Sequence, residues 1–239
     1  FEKRLWSEHG FGDPVRVLAC RDEEHEAERV VSELMHHKFM HNTDHRDYAI
    51  LYRGNHQARL FERVLREQRI PYYLSGGLSF FERTEVRDIM AYLKLLANPD
   101  NDSAFLRVVN TPRREIGAAT LEKLSAYAQD RSVSLFAASF EMGLAQHLSD
   151  RQLASLKRFC VWLSGLADRA REEEPATVLR SLLADIAYDA WLKEICDNLE
   201  AVEKRMENVL ELTGWLTRLA KQEQEDEPST FAELVARLS

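Results

Sequence analysis

The stretch "TEVRDIMAYLKLLANPDNDS", residues 84–103, marks the point where the sequence pattern of this chain changes. Its first part predicts a helix that begins at Thr84, because its apolar residues recur at helical spacing on one face: Val86, Ile89, Met90, Leu93 and Leu96. Asn98 and Pro99 end the helix, and a turn-rich segment follows at residues 98–103. We therefore place a domain boundary here, between residues 1–98 and 99–239.

Before this stretch, strand and helix patterns alternate. Residues 15–19, 48–52 and 72–77 have the β-branched, aromatic and turn residues of short strands. Helical patterns follow Asp22 and cover residues 56–69. Alternation of this kind predicts a parallel sheet with flanking helices, and three strands make only part of such a sheet. The expected class of residues 1–98 is therefore α/β.

After the stretch, no strand pattern recurs. Helical spacing continues to the end of the chain, over residues 102–109, 117–129, 149–170, 176–187, 201–220 and 229–238. Ser149 is a suitable N-cap, and Pro175 and Pro228 stand where helices begin. Residues 99–239 are therefore predicted to be all-α, which gives a fold class of α/β plus all-α for the whole chain.

The charge of the chain is unevenly placed. The net charge is −8, with 15 Lys and Arg against 16 Asp and Glu in residues 1–98 and 17 against 24 in residues 99–239. General nucleic-acid binders are usually basic, so any DNA contact in the second part requires a local basic patch. A chain without a membrane-length apolar run, a signal peptide or a CxxC pair is expected to be cytoplasmic. The opening Phe1-Glu2-Lys3, which lacks Met, suggests a fragment of a longer protein.

The first candidate site is Tyr52-Arg53 in "AILYRGNHQAR", residues 49–59. Ligands of open α/β sheets lie beyond the carboxyl ends of strands. A tyrosine there can stack on a base, and a guanidinium can hold a phosphate through two hydrogen bonds. The alternative is a surface arginine beside a half-buried tyrosine.

The second candidate is "GGLSFFERTEVRD", residues 76–88. Phe80 and Phe81 beside Arg83 have the composition of a platform on which single-stranded bases stack. The alternative is that the two rings fill the core at the entrance of the helix.

The third candidate is "NTPRREIGAATLEKL", residues 110–124, where two arginines precede a glycine and a helix. Gly117 allows close approach of the backbone, and the free N–H groups of a helix start favour a phosphate. Residues 105–123 form a basic island in an acidic domain, with four Lys and Arg against Glu115 and Glu122. We expect duplex DNA contacts from Arg113, Arg114, Ile116, Gly117 and Thr120. The alternative is an ordinary helix N-terminus.

Several catalytic motifs are absent from the sequence. It has no GxxxxGK(S/T) phosphate loop, no strand that ends in paired acids for Mg²⁺, and no GxSxG or HExxH. The loosely clustered histidines, His36, His37, His41 and His45, lack partners in metal-ligand register and are expected at a solvated helix end. We therefore expect no metal site and no catalysis by this chain alone.

In this order, the three stretches resemble the UvrD/Rep family of superfamily 1 DNA helicases, and within it the bacterial Rep branch. The "EEHEAERV" opening belongs to the same resemblance, which is strong over residues 15–125 and looser beyond them. It implies a parent helicase of 3′-to-5′ polarity whose two RecA-like domains enclose ATP and Mg²⁺. This chain would supply the first part of the second RecA-like domain, a partial RecA-like sheet, followed by its helical insertion. ATP and Mg²⁺ belong to the parent, and the fragment itself is expected to bind neither.

The resemblance also implies residue roles. Tyr52 would lie near the adenine, and Arg53 would reach the γ-phosphate and act in catalysis. The "FFER" turn would line the single-strand channel, and "REIG" would correspond to a duplex-binding Gly-Ile-Gly motif in which Glu115 replaces the first glycine. The implied partners are single-stranded and duplex DNA, with replicative helicase or other replisome proteins as further candidates and no membrane.

Two other functions fit the same sequence. One is a non-catalytic arm that docks a replisome or repair protein, which the acidic second part favours. The other is a subunit of a helicase–nuclease of similar fold, although the sequence shows no nuclease carboxylate motif.

Overall fold

A computed structural model of the chain describes Glu8, Gly12 and residues 14–75, 77–222 and 229–238. Helices account for its regular structure. They are α1 (Glu23–His41), α2 (Asn55–Glu67), α3 (Thr84–Ala97), α4 (Asp102–Val108), α5 (Ala118–Arg131), α6 (Leu135–Ala138), α7 (Asp150–Glu172), α8 (Pro175–Asp185), α9 (Tyr188–Ile195), α10 (Leu199–Gln222) and α11 (Phe231–Arg237). Short 3₁₀ turns occupy His45–Asp47, Phe80–Glu82 and Met142–Gln146.

The predicted α/β class is wrong, because the described residues contain no strand and no partial RecA-like sheet. The three expected strands are irregular, unpaired segments. Their apolar side chains point largely to solvent, since Val15, Val17, Leu51 and Tyr73 are each more than 90% exposed. A strand pattern records only local propensity, whereas a sheet requires a neighbouring strand to accept and donate its backbone hydrogen bonds. None of the described segments supplies that neighbour to another, so the regular structure of the described residues is all-helical.

The helix predictions are confirmed where the structure describes the chain, while Pro228, expected at the start of the last helix, lies outside the described residues. Asp22 accepts a hydrogen bond from the His25 N–H at 2.7 Å and begins α1. Ser149 and Gln152 form a capping box at the start of α7, and Pro175 occupies the first turn of α8. The sequence did not indicate α6 or α9, which have 4 and 8 residues. Length alone does not explain this, because the sequence indicated α4 and α11, which have only 7 residues each.

Contacts divide the chain into two units, residues 1–64 and residues 65–239. This division differs from the boundary expected near residues 98–103, and it puts α3 inside the second unit. In the first unit, α1 buries Ala27 and Val31. His37 Nδ1 and the Tyr48 hydroxyl lie 2.8 Å apart and join α1 to the segment that follows it.

The second unit is built around α3. This helix is buried on almost every side, and Val86, Ile89, Leu93 and Leu95 are completely buried. Helices α4, α7, α10 and α11 pack against it. Since four other helices cover it, α3 is the central element of the unit.

Two carboxylates of α3 are buried with their partners. Asp88 accepts hydrogen bonds from Arg107 of α4 at 2.7 Å and from the Tyr188 hydroxyl of α9 at 2.9 Å. Glu85 accepts from the amide of Asn208 in α10 at 2.7 Å. Burial raises the pKa of Asp88, against the opposing effect of Arg107. Three other helices thus supply the hydrogen-bond donors for the two buried carboxylates of α3.

We predict that Asp88→Ala lowers the free energy of unfolding by about 2–4 kcal/mol, because it leaves the half-buried Arg107 guanidinium without its carboxylate. Adding Arg107→Met should restore more than half of that loss, since the double variant has no uncompensated charge. Asp189→Ala, which breaks the exposed pair with Lys193 on α9, should cost about 0.5 kcal/mol or less. Urea unfolding followed by circular dichroism measures all three. A double variant no more stable than Asp88→Ala would contradict this explanation.

Candidate nucleic-acid interface

The loop before α5 is held from within by Asn110. Its side-chain oxygen accepts hydrogen bonds from the backbone N–H of Arg114 at 2.7 Å and of Ile116 at 3.3 Å. The Ile116 side chain is 1% exposed and inserts into the core. Thr120, in the first turn of α5, is also buried. These two residues of the predicted duplex site therefore anchor the segment, and their side chains do not face solvent.

Arg114 is engaged inside the protein. Its guanidinium donates to the carbonyls of Val108 and Pro112 at 3.0 Å and to the Tyr92 hydroxyl at 2.6 Å. It also lies 5.0 Å from the centre of the Phe159 ring. An arginine with this many internal contacts has few donors left for a ligand, and its main effect is to fix the loop.

Arg113 and Gly117 face outward from the same loop. Arg113 is exposed, lies 5.8 Å from the centre of the Trp191 ring, and pairs with no carboxylate among the described residues. Gly117 is the N-cap of α5 and provides no side chain to cap it. The first N–H groups of a helix have no partner within the helix, so the start of α5 presents donors beside a free guanidinium.

An open groove of about 810 Å³ adjoins this loop. Arg113 and Arg114 line one side, and Arg151 and Arg158 of α7 line the other. Its two carboxylates are Glu115 and Asp185, so arginines outnumber acids by four to two. Sequence reasoning missed Arg151 and Arg158 because they lie more than 30 residues away; the available signal was their spacing of seven on the exposed side of a helix.

Glu115 combines an unusual backbone with a surface ion pair. Its φ is 61°, in the left-handed region that glycine favours. Its carboxylate lies 2.8 Å from Arg151, and this hydrogen bond raises the pKa of Arg151. Both side chains are largely exposed, at 65% and 79%, so the pair is open to competition from another anion.

The "FFER" turn is packed against α10. Phe80 and Phe81 are 1% and 7% exposed, and their rings lie 4.6 Å and 5.9 Å from that of Trp215. Arg83 is half-buried and donates to Asn208 at 3.2 Å. The structure thus matches the alternative interpretation of this stretch, in which both rings fill the core at the entrance of α3. No ring face of Phe80 or Phe81 is open for a base to stack on.

Tyr52 and Arg53 belong to the first unit and precede α2. Tyr52 is half-buried and Arg53 is exposed. The Gln57 side chain accepts from the backbone N–H groups of Arg53 at 3.2 Å and Gly54 at 3.1 Å, which holds the turn into the helix. The Arg53 guanidinium pairs with no carboxylate in the part of the chain that the structure describes, and it is available to an anion.

Two features are absent from the described residues. No group of three His, Cys, Asp or Glu side chains is placed to hold a metal ion. Within the same residues, no helix is both long enough and apolar enough to cross a membrane.

Known proteins resemble the chain over its whole length. The ATP-dependent DNA helicase Rep of Salmonella typhimurium strain LT2 is 52% identical over all 239 residues, which cover 35% of that protein. Rep of Escherichia coli strain K12 is 51% identical over the same 239 residues, again 35% of its length. A probable DNA helicase II homologue of Rickettsia conorii is 31% identical over 210 residues, 88% of this chain and 32% of that protein.

The chain thus spans about a third of the length of these curated relatives. The sequence profile of the UvrD-like helicase C-terminal domain matches residues 1–239. The profile match and the sequence identity to the Rep helicases both extend through the second unit as well as the first. The chain therefore belongs to the UvrD-like helicase C-terminal domain family.

Proposed function

We propose that this chain is part of an ATP-dependent 3′-to-5′ DNA helicase and that its second unit grips the phosphates of duplex DNA. The proposal rests on the family and on one structural observation. Arg113, Arg151 and Arg158 are exposed around one groove beside the open start of α5, within a region whose net charge is −7. A contact of this kind holds the backbone and reads no sequence, as a helicase requires.

Gly117 supports a close backbone approach. Its φ is negative, and a Cβ added there would meet no atom within 4 Å. Neither conformation nor packing within the protein therefore requires glycine at this position. A ligand that lies directly against the backbone would require it, since a side chain would occupy the space of a phosphate.

Glu115 modulates this grip. It stands where the family pattern has glycine, and its left-handed backbone is the conformation for which glycine is suited. Its carboxylate also neutralises Arg151 at the edge of the groove. We propose that a DNA phosphate competes with Glu115 for Arg151, which weakens the grip relative to a glycine-containing motif.

Arg53 is proposed to contact the γ-phosphate of ATP in the longer helicase, with Tyr52 beside the base. The support is the exposed guanidinium, which pairs with no carboxylate among the described residues, on a turn that Gln57 holds in place. Bound nucleotide with Mg²⁺ would supply the hydrolysable phosphoanhydride. Arg53 would stabilise the charge that develops on the transferred phosphoryl group. The sequence holds no phosphate loop, so the other nucleotide contacts would come from elsewhere in the helicase.

A second candidate function is docking of a replisome or repair protein. The observation that favours it is an apolar groove of about 590 Å³ between α8 and α10, lined by Leu179, Leu183 and Leu210. Leu210 is 57% exposed at its edge. This groove shares no lining residue with the groove around Arg113, so substitutions around Arg113 distinguish the two functions.

We predict that Arg113→Gln weakens duplex binding about tenfold, the effect of losing one charge-assisted hydrogen bond. The loss should be equal for unrelated sequences, and the slope of log affinity against log salt should fall by about one. Gly117→Ala should weaken duplex binding severalfold, and Gly117→Val more, without loss of stability. Fluorescence anisotropy with labelled duplexes across a salt series measures these effects.

Matched controls are Arg180→Gln, an exposed arginine of α8, and Gly165→Ala, where an added Cβ also meets no atom within 4 Å. Both should bind duplex like the unaltered chain. If Arg113→Gln and Gly117→Val also leave affinity and salt slope unchanged, the duplex grip is refuted and the docking arm is favoured.

We predict that Glu115→Gly and Glu115→Gln both raise duplex affinity severalfold, because each frees Arg151 for a phosphate. Their stabilities should differ. Glu115→Gly should match or exceed the original by up to about 1 kcal/mol, since glycine relieves the left-handed backbone, whereas Glu115→Gln keeps that conformation. Anisotropy and urea unfolding measure the two effects. Equal duplex affinity in all three proteins would show that Glu115 does not face a phosphate.

We predict that Arg53→Ala in the longer helicase lowers the DNA-stimulated ATPase rate by about a hundredfold or more, the scale of arginines that stabilise phosphoryl transfer. DNA affinity without nucleotide should be almost unchanged. Arg46→Ala, an exposed arginine of the same unit paired with Asp44, is the control and should retain activity. Loss of DNA binding with ATPase intact would assign Arg53 to a different ligand.

A further inference from the structure

A second basic cleft, of about 410 Å³, lies on the second unit along α3 and α4. Four cationic side chains line it: Arg66, Arg87, Lys94 and Arg107. Ser103 adds a hydroxyl, and no carboxylate is among the described residues that form its wall. The cleft shares no lining residue with the groove around Arg113.

The α3 side of the cleft is regular. Arg87, Met90, Ala91 and Lys94 follow one another at helical spacing and present one face. Arg87 and Lys94 are two turns apart, a rise of about 10 Å along the helix. The apolar Met90 and Ala91 lie between them. This gives two cations at the ends of a short apolar floor.

Two of the four cations are already engaged within the protein. Arg107 pairs with Asp88 at 2.7 Å. Arg66 donates to the Tyr72 hydroxyl at 3.1 Å and lies 4.0 Å over the Phe81 ring. These contacts fix the positions of both guanidinium groups, and a fixed donor loses less entropy when it binds an anion.

The other two cations have no such partner. Arg87 is exposed and Lys94 is half-buried, and neither pairs with a carboxylate among the residues described. Like charges that line one concave surface raise its positive potential and attract anions. In a chain of net charge −8, an acid-free cleft with four cations is a marked local exception.

We propose that this cleft binds the phosphates of a single nucleic-acid strand, as a site separate from the duplex grip. The cleft volume of about 410 Å³ suits a group of nucleotide size. A double helix is too large to enter it, since the major groove of duplex DNA alone is about 12 Å wide. The apolar floor is suited to the sugar and base edges between two phosphates. The choice of nucleic acid rests on the proposed function, whereas the anion chemistry follows from the cleft alone.

The test is Arg87→Gln with Lys94→Gln in the 239-residue chain. Single-strand affinity should fall about tenfold or more, and its salt slope should decrease by about 1.4, or about 0.7 for each lost phosphate contact. Affinity for a blunt duplex should stay within about twofold, because charge-assisted contacts to it are assigned elsewhere. Lys204→Gln with Arg180→Gln, which removes two exposed cations outside the cleft, should leave both affinities unchanged.

Circular dichroism melts establish that the double variant is folded, and Lys94→Glu provides a second, stronger charge change. Inorganic phosphate should raise the melting temperature of the unaltered chain more than that of the double variant. Single-strand affinity and slope equal to the control would overturn the site. A second result would also overturn the proposal: phosphate compounds fail to displace a bound single strand, while polyglutamate binds the cleft. That outcome would assign the cleft to an acidic peptide. Failure of Arg113→Gln to affect duplex binding would refute the duplex grip alone.

Discussion

Two buried carboxylates on the central helix α3, Glu85 and Asp88, set the arrangement of the second unit. A carboxylate removed from water costs free energy unless it is hydrogen-bonded and paired. Only particular placements of three other helices satisfy both groups: Arg107 on α4, Tyr188 on α9 and Asn208 on α10 supply the donors. Burial raises the pKa of Asp88, and the nearby Arg107 guanidinium opposes that effect.

The same helix positions the candidate interface. Tyr92 of α3 is fully buried, and its hydroxyl accepts from Arg114 while donating to the Thr111 carbonyl. Burial raises the pKa of Tyr92 to about 12, against the effect of Arg114, so the hydroxyl keeps its proton at neutral pH. Arg114 and Asn110 then hold the loop from inside. These hydrogen bonds hold the loop from within the protein, and Arg113 and Gly117 are exposed on its outer side.

Charge explains how an acidic unit can hold DNA. The second unit, residues 65–239, carries 28 acids against 22 Lys and Arg, but the groove around Arg113 and the cleft along α3 concentrate cations locally. Interactions between exposed charges are screened beyond about 10 Å at ordinary ionic strength. A phosphate in either place therefore interacts mainly with nearby arginines and lysines, while the overall negative charge disfavours indiscriminate binding elsewhere.

The sequence by itself determined where most helices begin and end, because caps and apolar spacing act over a few neighbouring residues: Asp22, Ser149 and Pro175 start helices as expected. It also indicated the basic segment at residues 110–124. Only the tertiary structure decided that the strand-like segments are unpaired, that Phe80 and Phe81 pack on Trp215, and that Arg114 serves the core while Arg151 and Arg158 join Arg113. Strand pairing, ring burial and the assembly of a groove depend on residues far apart in the chain, whose proximity local patterns do not record.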